Sequence, residues 1–238
     1  LLIGCGSSDS DSDPPWKVAY VANFDDGSIS VLRVDETTGE LSFVETKFTL
    51  GGPNDITVDP SGEFAYVVCN ITNEVAIFSI NGYTGRLTFI ETEPTGTEPM
   101  TLTIDPTGKF LYVANNDSDD ITVYTINSVT GSLTFVENQS TGAGPLHMAI
   151  GPMGDFLYVP NISADTVSVY SINEITGELT LIEAEPAGTS PFCVDIEPNG
   201  SIAYVTNANS GDISVFAVDG VTGELTPVET ETGLIMPL

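Results

Sequence analysis

The sequence predicts an all-β chain, a β-propeller of four-stranded antiparallel blades, and three observations predict it. Tyr20, Tyr66, Tyr112, Tyr158 and Tyr204 stand 46 residues apart without slippage. A Thr-Gly pair follows each Tyr in fixed register, at Thr38-Gly39, Thr84-Gly85, Thr130-Gly131, Thr176-Gly177 and Thr222-Gly223. A Leu comes two residues later, and a Pro recurs at Pro53, Pro99, Pro145, Pro191 and Pro237. A fixed period of this length is one supersecondary unit copied along the chain, and four short strands per unit is a propeller blade.

The stretch from Pro99 to Asn138 shows how one unit reads. Leu102 and Ile104 alternate with Thr101 and Thr103, a strand. Asp105-Pro106-Thr107-Gly108 reads as a turn, because Pro pre-sets φ and Gly admits positive φ. Phe110 to Ala114 is an apolar, aromatic strand, and Asn115 to Asp120 is a polar turn. Ile121 to Ile126 alternates again, Asn127 to Ser132 turns through Thr130-Gly131, and Leu133 to Glu137 is the fourth strand. No apolar spacing of three and four occurs, and Gly or Pro interrupts the chain every few residues, which excludes helices and helical repeats.

Tyr204-Val205-Thr206-Asn207 is the signature of the YVTN-type β-propeller repeat. Tyr20-Val21-Ala22-Asn23, Tyr112-Val113-Ala114-Asn115 and Tyr158-Val159-Pro160-Asn161 are close variants, while the second unit carries Cys69 in place of the Asn. Residues 16 to 238 also resemble the 6-phosphogluconolactonase-like family of seven-bladed propellers. The resemblance implies that the five visible repeats are a fragment of a seven-bladed ring. The rival is a five-bladed ring whose closing strand is truncated. The first unit starts at its second strand, from Trp16, so its innermost strand is expected from the far end of the chain.

Charge sets the partners. The 238 residues carry a formal net charge of −29, with Lys17, Arg33, Lys47, Arg86 and Lys109 the only basic side chains besides His147. Such a chain repels nucleic acid and anionic lipid. It reads as an extracellular or saline-adapted surface. Leu1-Leu2-Ile3-Gly4-Cys5-Gly6 resembles the end of a bacterial lipoprotein signal peptide, with Cys5 as the lipidated residue. Residues 1–5 are assigned to that segment, residues 6–15 to an acidic Ser/Asp tether, and 16–238 to the propeller. The expected address is the envelope, outside the cytoplasm, with the membrane reached only through the lipid. The expected partners are an envelope protein, a glycan or a small uncharged ligand, without a cofactor.

Candidate site residues come from comparing the repeats. On each innermost strand one alternating set is apolar throughout: Ile56/Val58, Leu102/Ile104, Met148/Ile150, Val194/Ile196. The other set varies, with Asp55, Thr101, His147, Cys193 and Asp195 among it. Strand alternation places the varying set opposite the core, on the side that borders a propeller's channel. His147, the only histidine, is the one candidate catalytic base, since imidazole titrates near neutrality. It also reads simply as a half-buried strand residue. In the lactonase-like family a Gly-x-Gly-Pro-Arg-His segment lies at this place. Here it is Gly142-Ala143-Gly144-Pro145-Leu146-His147, so the basic residue is lost. A phosphosugar lactonase needs cations for its phosphate. A neutral lactone does not.

Cys69 and Cys193 lie three units apart and read as small apolar residues, not as a disulfide or a zinc pair. The acidic turns Asp25-Asp26-Gly27, Asn116 to Asp120 and Ser210-Gly211-Asp212 read as solvated hairpin turns in preference to calcium loops. Two functions follow. The first is a tethered binding scaffold. The second is an extracytoplasmic lactone hydrolase in which His147 activates water and Asp55 or Asp195 positions it.

Overall fold

The computed structural model describes residues 2–5, 17–49 and 51–232, with the backbone alone for 2–5. The tether, Trp16 and Pro237 lie outside the described residues. All regular structure is β, in five four-stranded antiparallel sheets whose strands follow chain order. The first sheet holds β1 (Leu2–Cys5), β2 (Lys17–Asn23), β3 (Ser28–Val34) and β4 (Leu41–Phe48). The second holds β5 (Pro53–Val58), β6 (Phe64–Cys69), β7 (Glu74–Ile80) and β8 (Leu87–Pro94). The third holds β9 (Pro99–Ile104), β10 (Phe110–Asn115), β11 (Asp120–Ile126) and β12 (Leu133–Ser140). The fourth holds β13 (Ala149–Ile150), β14 (Phe156–Asn161), β15 (Thr166–Ile172) and β16 (Leu179–Pro186). The fifth holds β17 (Pro191–Ile196), β18 (Ile202–Asn207), β19 (Asp212–Val218) and β20 (Leu225–Thr232). The unit read from Pro99 onward thus has its four strands where the alternation puts them.

The chain forms two compact units. One gathers the residues up to Thr95 together with Ile126–Thr134, and the other gathers Gly96–Thr125 and the chain from Phe135 onward. The hairpin at 126–134 belongs with the first because of a recurring tie. Tyr66 donates its hydroxyl to the Gly131 carbonyl at 3.0 Å, and Tyr20 does the same to Gly85 at 2.8 Å. In the second unit Tyr112 donates to Gly177 at 3.1 Å and Tyr158 to Gly223 at 3.2 Å. Each of these Tyr side chains is buried to within 1 %. A buried hydroxyl requires a partner, so the periodic Tyr and the periodic Gly are two halves of one bond.

The Thr-Gly pair itself is a turn device. Asp35, Asn81, Asn127, Asn173 and Asp219 each accept from the backbone N–H two and three residues on. The chain then passes through a Gly in the left-handed region, with φ between 71° and 78° at the five positions. At Gly131 a Cβ would also stand 2.3 Å from the ring of Phe64, and at Gly177 2.4 Å from Phe110. At Leu87, Leu179 and Leu225 the backbone N–H is held by the repeat before it. Glu45 accepts from Leu87 at 2.9 Å, Glu137 from Leu179 at 2.7 Å and Glu183 from Leu225 at 2.6 Å.

Two departures from the sequence expectation stand out. The innermost strand of the first sheet is Leu2–Cys5, antiparallel to β2, with Leu2 opposite Tyr20 and Cys5 opposite Lys17. The edge of β2 offers a row of unpaired backbone groups, and the segment read in the sequence as the end of a signal peptide pairs with it. The innermost strand of the fourth sheet is cut to Ala149–Ile150, preceded by an isolated bridge between Pro145 and Asn161. The turn after it carries Gly151, where Asp59 and Asp105 in the second and third sheets lash the turn by accepting from Phe64 at 2.8 Å and Phe110 at 2.7 Å.

Candidate functional site

The alternation on the innermost strands is realised. Ile56, Leu102, Met148 and Val194 are all buried to 5 % or less, and Ile56, Met148 and Val194 each belong to an apolar core cluster. Asp55, Thr101, Cys193 and Asp195 occupy the opposite strand face. Thr101 is buried, Asp55 and Cys193 are half-buried, and Asp195 is exposed. His147 is half-buried too, but it stands in the irregular segment before β13, not on a regular strand. There the Leu146 N–H donates to the Pro160 carbonyl at 3.4 Å.

Of these residues, Cys193 and Asp195 are brought together. They share one face of β17, and the Cys193 thiol is pushed up by burial and then by the Asp195 charge. Asp195 Oδ1 accepts from the Ile196 N–H at 3.0 Å. Thr101 lies on β9, paired with Ala114. Asp55 belongs to the other compact unit, where its Oδ1 accepts from the Ile56 N–H at 2.8 Å. None of the five basic residues is on an innermost strand: Lys17, Arg33 and Lys47 are on β2, β3 and β4, Arg86 precedes β8 and Lys109 precedes β10.

Both described cysteines are free. Cys69 is 1 % exposed, and burial pushes its thiol up to about 11. It floors a cleft of about 170 Å³ with Phe48, Phe78 and Phe89. Carboxylates of the acidic turns bind the chain's own donors. Asp119 accepts from the Gly144 N–H at 2.8 Å, and Asp120 accepts from Asn115 Nδ2 at 2.7 Å. Asp212 likewise accepts from Asn207 Nδ2 at 2.7 Å. One carboxyl pair was not visible in the sequence, because its members lie on different loops. Glu98, held at φ 57°, has its carboxyl raised chiefly by a hydrogen bond to Asp117.

The geometry agrees with what the chain is similar to. A family model described as lactonase, 7-bladed beta-propeller, matches residues 13–150, 101–196 and 143–237. Among solved structures, a candidate 6-phosphogluconolactonase from Bacteroides uniformis superposes with a TM-score of 0.83 at 18% identity, covering 96% of this chain and 70% of that one. One from Bacteroides fragilis gives 0.82 at 22% identity, covering 93% and 68%. The periplasmic gluconolactonase of Pseudomonas aeruginosa gives 0.81 at 20% identity, also covering 93% and 68%. A comparison with curated protein sequences finds no significant match. At these identities the solved structures establish the fold, and the family model, matched across nearly all of the sequence, establishes that the chain belongs to the lactonase family of seven-bladed β-propellers.

Proposed function

We propose that the chain is an extracytoplasmic propeller, tethered through Cys5, that serves as a binding scaffold for an uncharged ligand, a glycan or a protein of the cell envelope. The observation that carries this reading is the absence of Lys and Arg from the described innermost strands, where Thr101, Cys193 and Asp195 stand, and from the segment before β13 that holds His147. A phosphorylated substrate needs charge-assisted donors, and a chain of net charge −29 repels it besides. The lipoprotein-like start at Leu1–Gly6 and a periplasmic neighbour of the same fold support the address.

Family membership favours a second reading, hydrolysis of a neutral lactone. In it His147 takes a proton from water as the water oxygen adds to the lactone carbonyl. The ring C–O bond then breaks, the ring oxygen receives the proton, and a hydroxy acid leaves. Asp195, which shares a compact unit with His147, is the candidate to orient the water or the imidazolium. The test is ring opening of a panel of uncharged lactones, followed by acid release, for the wild type and His147→Ala. Turnover lost in His147→Ala establishes the hydrolase. Binding without turnover, equal in both proteins, establishes the scaffold. Turnover of 6-phosphogluconolactone in preference to neutral lactones overturns both.

A further inference from the structure

The hairpin that ends in the Thr-Gly pair starts, in every repeat, from an Asp or Asn whose side chain caps the turn: Asp35, Asn81, Asn127, Asn173 and Asp219. The three asparagines are followed by Gly82, Ser128 and Glu174. Asn-Gly is the pair in which a backbone nitrogen most readily attacks the side-chain amide before it, because Gly has no Cβ to hinder the approach. That attack joins the Gly nitrogen to the Asn Cγ and closes a five-membered succinimide. A second Asn-Gly, Asn199-Gly200, lies in the turn before β18, and both asparagines are exposed. Their surroundings differ in one respect that bears directly on the reaction.

At Asn81 the electrophile is polarised and the nucleophile is free. Oδ1 accepts from the Tyr83 N–H at 3.1 Å, the Thr84 N–H at 3.0 Å and the Thr84 hydroxyl at 3.0 Å. These donors face the oxygen on which charge develops as a nucleophile adds to Cγ, the arrangement that stabilises a tetrahedral oxyanion. Gly82 is exposed, and its N–H donates to no group among the described residues. At Asn199 the carbonyl is polarised too, since Oδ1 accepts from the Ser201 N–H at 2.9 Å and the Ser201 hydroxyl at 2.7 Å. There the nucleophile is tied. The Gly200 N–H donates to the Glu197 carbonyl at 2.7 Å. Attack by the Gly200 nitrogen first requires that hydrogen bond to break. The two sites therefore differ in the nitrogen, not in the amide.

We propose that Asn81 is a self-modification site, which deamidates in the folded chain through attack by the free Gly82 nitrogen. The Gly82 N–Cγ bond forms, the Cγ–Nδ2 bond breaks, and ammonia leaves carrying the proton that the Gly82 nitrogen gives up. Water then opens the succinimide at one of its two carbonyls, giving aspartate or isoaspartate. The site is separate from the innermost-strand face and does not depend on its reading. The two products have different consequences. Aspartate keeps the turn, because Asp35 and Asp219 make the same backbone hydrogen bonds at this place. Isoaspartate inserts a methylene into the backbone. The Asn81 carbonyl accepts from the Gly85 N–H at 2.7 Å, and the Gly85 carbonyl in turn accepts from the Tyr20 hydroxyl at 2.8 Å. Isoaspartate at position 81 thus displaces the acceptor of a buried hydroxyl and loosens the tie between the first and second repeats.

The experiment incubates the native full chain at mildly alkaline pH and follows the peptides holding Asn81 and Asn199 by mass and by chromatography that resolves isoaspartate. The expected result is deamidation at Asn81 about fivefold faster or more, the factor that one hydrogen bond on the competing nitrogen is worth. In urea neither nitrogen is bonded, and the two rates are expected to converge. Gly82→Ala places its methyl where nothing stands within 4 Å, so the fold is kept, while the reaction at Asn81 slows and that at Asn199 does not. Equal native rates, faster loss at Asn199, a ratio that persists in urea, or an undiminished rate in Gly82→Ala overturns the proposal. The isoaspartate fraction is expected to melt below Asn81→Asp, and equal melting overturns the link to Tyr20.

Discussion

The hydroxyl of Tyr66 donates to the carbonyl of Gly131 across 65 residues of chain, and both groups are buried. Removing the hydroxyl leaves that carbonyl without a partner, a loss of about 1–3 kcal/mol. Tyr66→Phe is therefore expected to lower the urea midpoint by a matching amount. Tyr204 is 40% exposed and donates to Glu197 at 3.2 Å instead. Tyr204→Phe is expected to change stability by less than about 0.5 kcal/mol.

Gly39 and Gly131 share a backbone conformation, with φ of 75° and 74°, but not an environment. A Cβ at Gly39 meets nothing within 4 Å, whereas at Gly131 it meets the Phe64 ring at 2.3 Å. Gly39→Ala is expected to cost only the left-handed strain, about 1–2 kcal/mol. Gly131→Ala adds overpacking of about 1–3 kcal/mol to that. Thermal melts of the two variants side by side separate strain from contact, and equal losses would refute the packing argument.

Alkaline pH tests the buried hydroxyls together. Burial, and after it nearby carboxylates, raises the phenols of Tyr20, Tyr66, Tyr112 and Tyr158. A raised folded value means that the unfolded chain loses its protons first, at about pH 10. The stabilisation is complete below that pH and is lost as pH rises toward the folded values. Melting temperature is expected to fall steeply above about pH 10, and less steeply in Tyr66→Phe.

Salt is expected to stabilise. The ion pairs Lys17–Glu36 and Arg86–Glu45 are both 3.6 Å apart, and each keeps at least one partner largely in solvent. Such pairs are worth about 0–1 kcal/mol, so screening them costs little. Screening the repulsion within a charge of −29 gains more. Melting temperature should climb from low salt to molar NaCl, and a flat profile would refute the argument.

Thiol reactivity separates the described cysteines. Cys69 is sealed at 1% exposure and its thiol is pushed up to about 11, while Cys193 is half-buried. At pH 8 a maleimide should modify Cys193 in the native protein and Cys69 only after unfolding, as read by peptide mass.

The strands were legible because each repeat writes its pattern again, so that Phe110 to Ala114 or Ile121 to Ile126 could be read against the copies. The core face of the innermost strands was legible for the same reason. What was not legible is what depends on pairs far apart in sequence. The Thr-Gly pair reads as a turn, and nothing local says that its carbonyl waits for a Tyr from another repeat. The shortened β13 and the pairing of Leu2–Cys5 with β2 depend on which edge is available, not on periodicity. The Oδ1 of Asn207 is buried without a partner, a lack that no local pattern in the sequence announces.

The four Tyr–Gly bonds span residues 20–85, 66–131, 112–177 and 158–223, and these intervals overlap. Every peptide bond from Tyr20 to Gly223 thus lies beneath at least one of them. A protease that nicks an exposed hairpin leaves two pieces still pinned across the cut, which should co-elute under native conditions and part only in denaturant. The same overlap means that the second, third or fourth 46-residue repeat, excised alone, leaves with a hydroxyl and a carbonyl that belong to neighbours it no longer has.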